Sequence, residues 1–414
     1  MKIQFWGGAV LAALLLFFGA GVAAAQTPDA ATAVIGSGTA ASCQSNQAVN
    51  AFTAAVQAGG TVTFNCGPDF VEIEVNTSLV GSGIATVVDG AGRIGLNGED
   101  VRQFFLVQSG GNLTLRNISL LDGGGGGGNG GAIFIGGNGR VTIDGSFLTS
   151  NLTEAGSDGG AIYSSGFLTL TNSTLGANEA KTVGGDGGAI YINGGTVLIR
   201  DSYIINNQAQ NGGGIRLIGG TLTIERSAFR SNIARAQGGG LHIESNAGAI
   251  VNTTFSNNRA DRGGGIYKIG STPLTNVTIH ENRADLGGGI FNQSGLPVLK
   301  NTIIAGSLDE AGNNPSLNCD GPMMASGGRN IISDNACLPN PGSSGDLFST
   351  NPQLGLWFGT PVRGYIPAAN SPAVDGGLGC PAVDQRGFPR PLGAACDVGA
   401  IERGALIFLP YIDR

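Results

Sequence analysis

Phe134, Tyr163, Tyr191, Arg216, His242, Tyr267 and Phe291 occupy one position of a recurring block, each directly after a Gly-rich stretch and a single aliphatic residue. Five of the seven are aromatic in a chain whose aromatic content is only 6%. A row of flat apolar rings with an arginine and a histidine among them suits stacking on successive sugar rings. The same row also suits a purely structural role, because aromatic neighbours on one face stabilise a sheet. A third chemistry uses Tyr191, Arg216, His242 and Tyr267 as charge neutraliser, base and acid in a proton abstraction.

The elements that must position these residues follow from the repeat. The aliphatic landmarks are Ile133, Ile162, Ile190, Ile215, Leu241, Ile266 and Ile290, spaced 24 to 29 residues apart. A second landmark closes each block, an apolar residue followed three positions later by Asn: Leu148/Asn151, Leu175/Asn178, Ile204/Asn207, Phe229/Asn232, Phe255/Asn258 and Ile279/Asn282. Two landmarks in step define a repeat protein. Each block holds three runs with period-two alternation, such as Ile190/Ile192, Val197/Ile199 and Ser202/Ile204, too close together for a crossover helix. The expected fold is all-β, a parallel β-helix with three strands per coil. Alternation sends the landmark aliphatics inward and the aromatic column outward. Glycine is expected where φ turns positive or the next coil passes close, and the Asn side chains are expected to bond to one another from coil to coil.

Residues 1–25, with Lys2, an apolar run to Phe18 and Ala23-Ala24-Ala25, read as a secretory signal peptide. Residues 26–305 read as the β-helix with its N-terminal cap, and 306–414 as a C-terminal extension and cap. Ser45 to Gly59 is the clear helical stretch, with Ala48, Val49, Phe52 and Val56 on one face, placed to cover the open end of the solenoid. Less regular strands are expected at Val71 to Val75, Ile84 to Val88, Phe104 to Val107 and Leu113 to Leu120. Export makes disulfides the expected state of the six cysteines, and nearest neighbours are paired: Cys43 with Cys66, Cys319 with Cys337, Cys380 with Cys396. There is no Cys-x-x-Cys spacing, and His242 and His280 lie far from the cysteines, so neither metal nor cofactor is expected. Asp261 and Asp285, alternating with Arg259, Arg262 and Arg283, read as salt-bridged corners, and Asp384, Arg386, Asp397 and Glu402 as an ion-paired, turn-rich cap.

Composition narrows the partners. The 74 glycines among 414 residues lack a collagen period, and charged residues make up only 12%. A net charge of −7 argues against nucleic acid and anionic membrane. No apolar stretch after the leader is long enough to span a bilayer. The expected partner is an extracellular or cell-wall polysaccharide, and the oligomeric state is left open.

The Gly-Gly-Ala-Ile and Phe-x-x-Asn landmarks resemble the repeats of polymorphic outer-membrane proteins, a resemblance that implies a right-handed parallel β-helix. The wider pattern resembles the pectin-lyase-like superfamily: the Cys43-led helix, Gly60-Thr61-Val62-Thr63-Phe64-Asn65-Cys66, the coils, and a tail containing Ser371-Pro372-Ala373-Val374-Asp375-Gly376-Gly377, Asp384-Gln385-Arg386-Gly387 and Cys396-Asp397-Val398-Gly399-Ala400-Ile401-Glu402. That tail is similar to the C-terminal region of secreted β-helix proteins of the choice-of-anchor type. Gln44-Ser45-Asn46-Gln47-Ala48-Val49 stands where the usual signature has Ser-Leu-Arg-Glu-Ala-Ile, a divergence that keeps the helix. The resemblance implies export and surface anchoring. Leu406 to Ile412 is interrupted by Pro410 and too short to span a membrane, so plain secretion is expected as readily. It also implies, as the enzymatic alternative, a polysaccharide lyase working on the aromatic column. A glycoside hydrolase would need two or three carboxylates gathered on one face, which no outward column offers. The function expected is a secreted or cell-surface, non-catalytic, adhesin-like protein, with a structural envelope stalk as the remaining alternative.

Overall fold

The computed structural model describes residues 32–404, apart from 76–78, 81–82, 182, 247, 340–343 and 360–362. The leader expected over 1–25 and the apolar stretch 406–412 lie outside the described residues. The chain winds into a right-handed parallel β-helix of about eleven coils. Each regular coil gives one strand to each of three parallel sheets, in register apart from local shifts such as that at Asn193. Ile190 pairs with Ile215 in the first sheet, Val197 with Leu222 in the second and Ile204 with Phe229 in the third. The landmark aliphatics are fully buried and stack into the ladders that form the core.

Two sharp corners flank the third strand of each coil, and each is made by one residue with positive φ. In successive coils these are Asp201 and Asn206 (52° and 56°), then Arg226 and Ser231 (47° and 53°). The residue after each corner points inward and in most coils is polar, Ile118 and Val277 being apolar exceptions. After the first corner stand Ser146, Ser173, Ser202 and Ser227, each hydroxyl accepting from the backbone N–H one coil earlier. After the second stands the Asn ladder. Asn151, Asn178, Asn207, Asn232, Asn258 and Asn282 are linked by side-chain bonds of 2.9 Å, and each Nδ2 also donates to a backbone carbonyl. The expected ladder is therefore present; the serine ladder beside it is additional. Both answer one requirement: the corners leave buried backbone groups that the sheets cannot pair.

Glycine fills the remaining corner for two separate reasons. Gly212 has φ +61°, and a Cβ added to Gly213 would sit 2.4 Å from the Ile233 carbonyl oxygen of the next coil. Between the Asn ladder and this corner runs a short fourth sheet, Leu152–Thr153, Glu179–Ala180, Gln208–Asn211 and Ile233–Gln237. It escapes the alternation rule because each strand buries only one small residue: Thr153, Ala180, Ala209 or Ala234.

At the N-terminal end, helix α1 (Ala40–Gln44) leads into α2 (Asn46–Ala58). Ser45 caps α2 by accepting from Ala48 N–H, Gly59 ends it, and Ala48, Val49, Phe52 and Val56 are the buried face, as expected. The five-residue α1 was not legible from periodicity; its start is fixed by a Thr39/Ser42 capping box. Cys43–Cys66 ties the helices to the first coil.

The C-terminal region has two parts. Cys319, Met324, Cys337 and Leu338, with the Cys319–Cys337 disulfide, extend the core through its last layer. The described residues of 351–404 instead fold back along the side of the solenoid, over the outward face of the third sheet. Asn252 donates to Val383 O, Thr254 to Gln385 Oε1 and Asn276 to the carbonyls of Asp397 and Gly399. Asn301 donates to Leu378 O, and Thr278 Oγ1 accepts from Ala400 N–H. This part of the expected cap is a lateral brace, pinned by Cys380–Cys396, and all three disulfides join nearest neighbours.

Candidate functional site

Register places the predicted column in a single file on the first sheet: Phe134, Tyr163, Tyr191, Arg216, His242, Tyr267 and Phe291 pair in that order, coil after coil. The rings do not present open faces, however. Phe134 stacks on Tyr163 at 5.1 Å and Tyr163 on Tyr191 at 5.4 Å. His242 packs on Tyr267 at 4.6 Å, and Tyr267 stacks on Phe291 at 5.4 Å. Phe134 and Tyr163 remain half-buried, whereas Tyr191, His242, Tyr267 and Phe291 are each less than one-tenth exposed (8%, 1%, 4% and 9%). The expectation of solvent-facing ring faces is corrected on this point. Parallel strands set neighbouring side chains about 4.8 Å apart, close to ring-stacking distance, so the rings pack on each other and leave edges and polar ends outward.

Arg216 breaks the file into two three-ring stacks and carries a charged centre. Its Nη1 lies 2.5 Å from Asp186 Oδ2 and its Nη2 3.2 Å from Glu244 Oε1. His242 Nε2–H donates to the same Glu244 oxygen at 2.8 Å, while Nδ1 is buried without a partner. Burial, reinforced by Arg216, pushes the His242 imidazole down to about 3, so it is neutral at physiological pH. Polar groups finish each stack: Asn193 Nδ2 donates to the Tyr163 hydroxyl, and the Tyr267 hydroxyl donates to Gln293.

Sequence reasoning missed the carboxylates that border this file. Asn129, Asp158, Asp186 and Asn211 each precede a Gly-Gly corner and form a further ladder, in which the side-chain oxygens of Asn129, Asp158 and Asp186 accept the next coil's backbone N–H. The signal was present as Asp-Gly-Gly at Asp158 and Asp186 and as Asn-Gly-Gly at Asn129 and Asn211. Burial first, and the negative charge of Asp186 after it, raise the Asp158 carboxyl to about 6. Burial also pushes the Tyr191 hydroxyl up to about 12 and raises that of Tyr267.

These values weigh on the chemistry available. A tyrosine held protonated and a histidine locked in a hydrogen bond to Glu244 are poor bases, and Arg216 spends its fork on two carboxylates instead of a substrate uronate. The arrangement is better suited to holding hydroxyl-bearing ligands than to abstracting a proton.

Residues 103–283 match the family model for a right handed beta helix region. No curated protein and no solved structure matches the chain. The match spans the β-helix file from Phe134 to Tyr267 and the whole charged centre. No helix among the described residues is long and apolar enough to cross a membrane.

Asp158 gives this centre a measurable titration. Its folded carboxyl titrates near 6 against an ordinary 3.8, so its stabilising contribution is complete below 3.8 and lost as the pH rises through about 6. Asp158→Asn keeps the acceptor for Asp186 N–H without the charge. The variant is expected to match the parent near pH 4 in thermal unfolding and to exceed it at pH 7, with the difference growing between about pH 4 and 6 and level above that.

Proposed function

We propose that the chain is an exported, non-catalytic carbohydrate-binding β-helix whose ligand lies along the outward face of the first sheet, held by ring edges, tyrosine hydroxyls and the carboxylates around Arg216. The observation that carries this reading is the file of seven register-paired residues, two three-ring stacks either side of Arg216, rigidified by stacking and bordered by acceptors. Such a surface is preorganised, so little conformational entropy is lost on binding. Carboxylates accept strongly from sugar hydroxyls, and the rings add apolar contact. Three disulfides support an oxidising, extracellular setting. Attachment to a cell surface belongs to the same reading.

The test is a glycan array with the full chain, followed by titration of the best ligand. Phe134→Ala combined with Tyr163→Ala removes the two half-buried rings. Each contact contributes about 0.5–1.5 kcal/mol, so affinity should fall on the order of tenfold, with thermal unfolding used to verify the fold. Unchanged binding of every glycan by the double variant would sink the reading. Release of unsaturated uronate that depends on Arg216 or His242 would replace it with the lyase.

A further inference from the structure

Three arginines gather on a different side of the coils, where the third strand turns toward the fourth sheet. Arg230 ends the strand Ala228–Arg230, while Arg259 and Arg283 each follow a rung of the Asn ladder, Asn258 and Asn282. With Ser231, Ile233 and Asn257 they line a groove of about 360 Å³. Ile233, Arg259 and Arg283 bridge one another in parallel, so the last two guanidinium stems start one strand spacing apart. This concentration of positive charge runs against a chain with 22 Lys and Arg and 29 Asp and Glu.

The spacing in the sequence predicts that Asp261 and Asp285 form salt-bridged corners with Arg259, Arg262 and Arg283. The carboxylate that arrives is Glu310, from a later loop, and it serves only Arg259, whose Nε and Nη2 both donate to Glu310 Oε1 (3.1 and 2.5 Å). Arg230 and Arg283 form no ion pair among the described residues. Arg230 lies over the Trp357 ring of the C-terminal brace at 4.2 Å, which fixes its plane. Arg230 Nη1 and Arg283 Nε are buried with no hydrogen-bond acceptor. A buried cationic N–H without an acceptor is costly, and like charges one coil apart repel. An oxyanion in the groove supplies acceptors to the guanidinium groups that line it and offsets their repulsion, and a planar guanidinium matches its oxygens in pairs. Glu310 shows that a carboxylate oxygen already fits beside Arg259.

We propose that the Arg230–Arg259–Arg283 groove is an anion-binding site for a tetrahedral oxyanion, sulfate or phosphate, either free or borne as an ester on a polysaccharide. The site is separate from the first-sheet file and does not depend on the reading given to it. Glu310 acts as an internal competitor that occupies one of the three arginines.

The experiment is calorimetric titration of the full chain with sodium sulfate and sodium phosphate against a chloride control of equal ionic strength. A second arm compares a sulfated polysaccharide with its unsulfated backbone. The parent is expected to bind the oxyanion in at least one arm, and the arm that responds tells a free ion from an ester. Arg283→Gln should weaken that binding about tenfold, as for the loss of one charge-assisted contact. Glu310→Gln should tighten it severalfold by freeing Arg259. The opposite signs separate a site from general loss of fold. The proposal is overturned if neither arm binds above its control, if Arg283→Gln binds as the parent does, or if Glu310→Gln weakens binding.

Discussion

Replacing Asn232 by Ala should cost roughly 2–6 kcal/mol, because it removes the acceptor for two buried donors at about 1–3 kcal/mol each. Asn232 Oδ1 accepts from Asn207 N–H at 3.1 Å and from Asn207 Nδ2 at 2.9 Å, and Asn207 is fully buried. Its own Nδ2 donates to Ile204 O and Asn258 Oδ1, both at 2.9 Å. The ladder has a direction, and that direction supplies the control. Each amide accepts from the preceding coil, but Asn151 stands at the start, and its Oδ1 accepts only from Gly123 N–H. Asn151→Ala should therefore orphan one donor where Asn232→Ala orphans two, and cost about half as much. Chemical denaturation of both variants measures the ratio. Equal losses would mean that the side chains contribute through packing volume alone.

The ladders also show which parts of this molecule the sequence makes legible. Ile190, Ile215 and Leu241 announce the coil because stacking like on like repeats their type at a fixed interval, and Asn178, Asn207 and Asn232 do so for the same reason. Alternation then gives the side of the sheet correctly, but it cannot give exposure. Tyr267 projects from the outward side and is nevertheless 4% exposed, because its neighbours one strand spacing away cover it. Alternation also puts Lys268 inside, between Ile243 and Asn292, with its ammonium buried and unpartnered and its titration pushed down by burial to about 8. A charged residue at an inward position carries no signal of that placement in its own type. The carboxylates around Arg216 were illegible for another reason: Asp186 and Glu244 belong to different coils and different positions of the repeat, so only the winding brings them to one guanidinium. The lateral brace was hidden likewise. Nothing in Asn252, Thr254 or Asn276 distinguishes an outward residue that meets solvent from one that meets residues 383–399.

That brace yields the second large effect. Glu402→Ala should destabilise the C-terminal segment by about 3–5 kcal/mol, the usual result of removing one partner from a buried ion pair. The Arg390 and Glu402 side chains are each 1% exposed, with Arg390 Nη1 2.9 Å from Glu402 Oε2. Glu402 also accepts from the N–H groups of Asp397 and Leu392, while Arg390 donates to the carbonyls of Asp397 and Gly399. Alanine at 402 strands the guanidinium in a site walled off from water and removes the acceptor for two backbone donors. The loss should be local, since two small apolar clusters apart from the solenoid core serve the brace: Ala373 and Val398 pack on the outward Ile303, Ala305 and Ile331 of the coils, and Ile366, Ala400 and Ile401 group together. Hydrogen exchange should then rise over 363–403 and in the third strands Thr254–Ser256 and Thr278–His280 beneath them, while the Asn ladder stays protected at Asn178 and Asn207. Glu402→Gln, which keeps an acceptor and drops the charge, should fall between parent and alanine. If Glu402→Ala leaves exchange over the brace unchanged, the pair does not hold the segment to the coils; if protection is lost along the whole chain, brace and solenoid unfold as one cooperative unit.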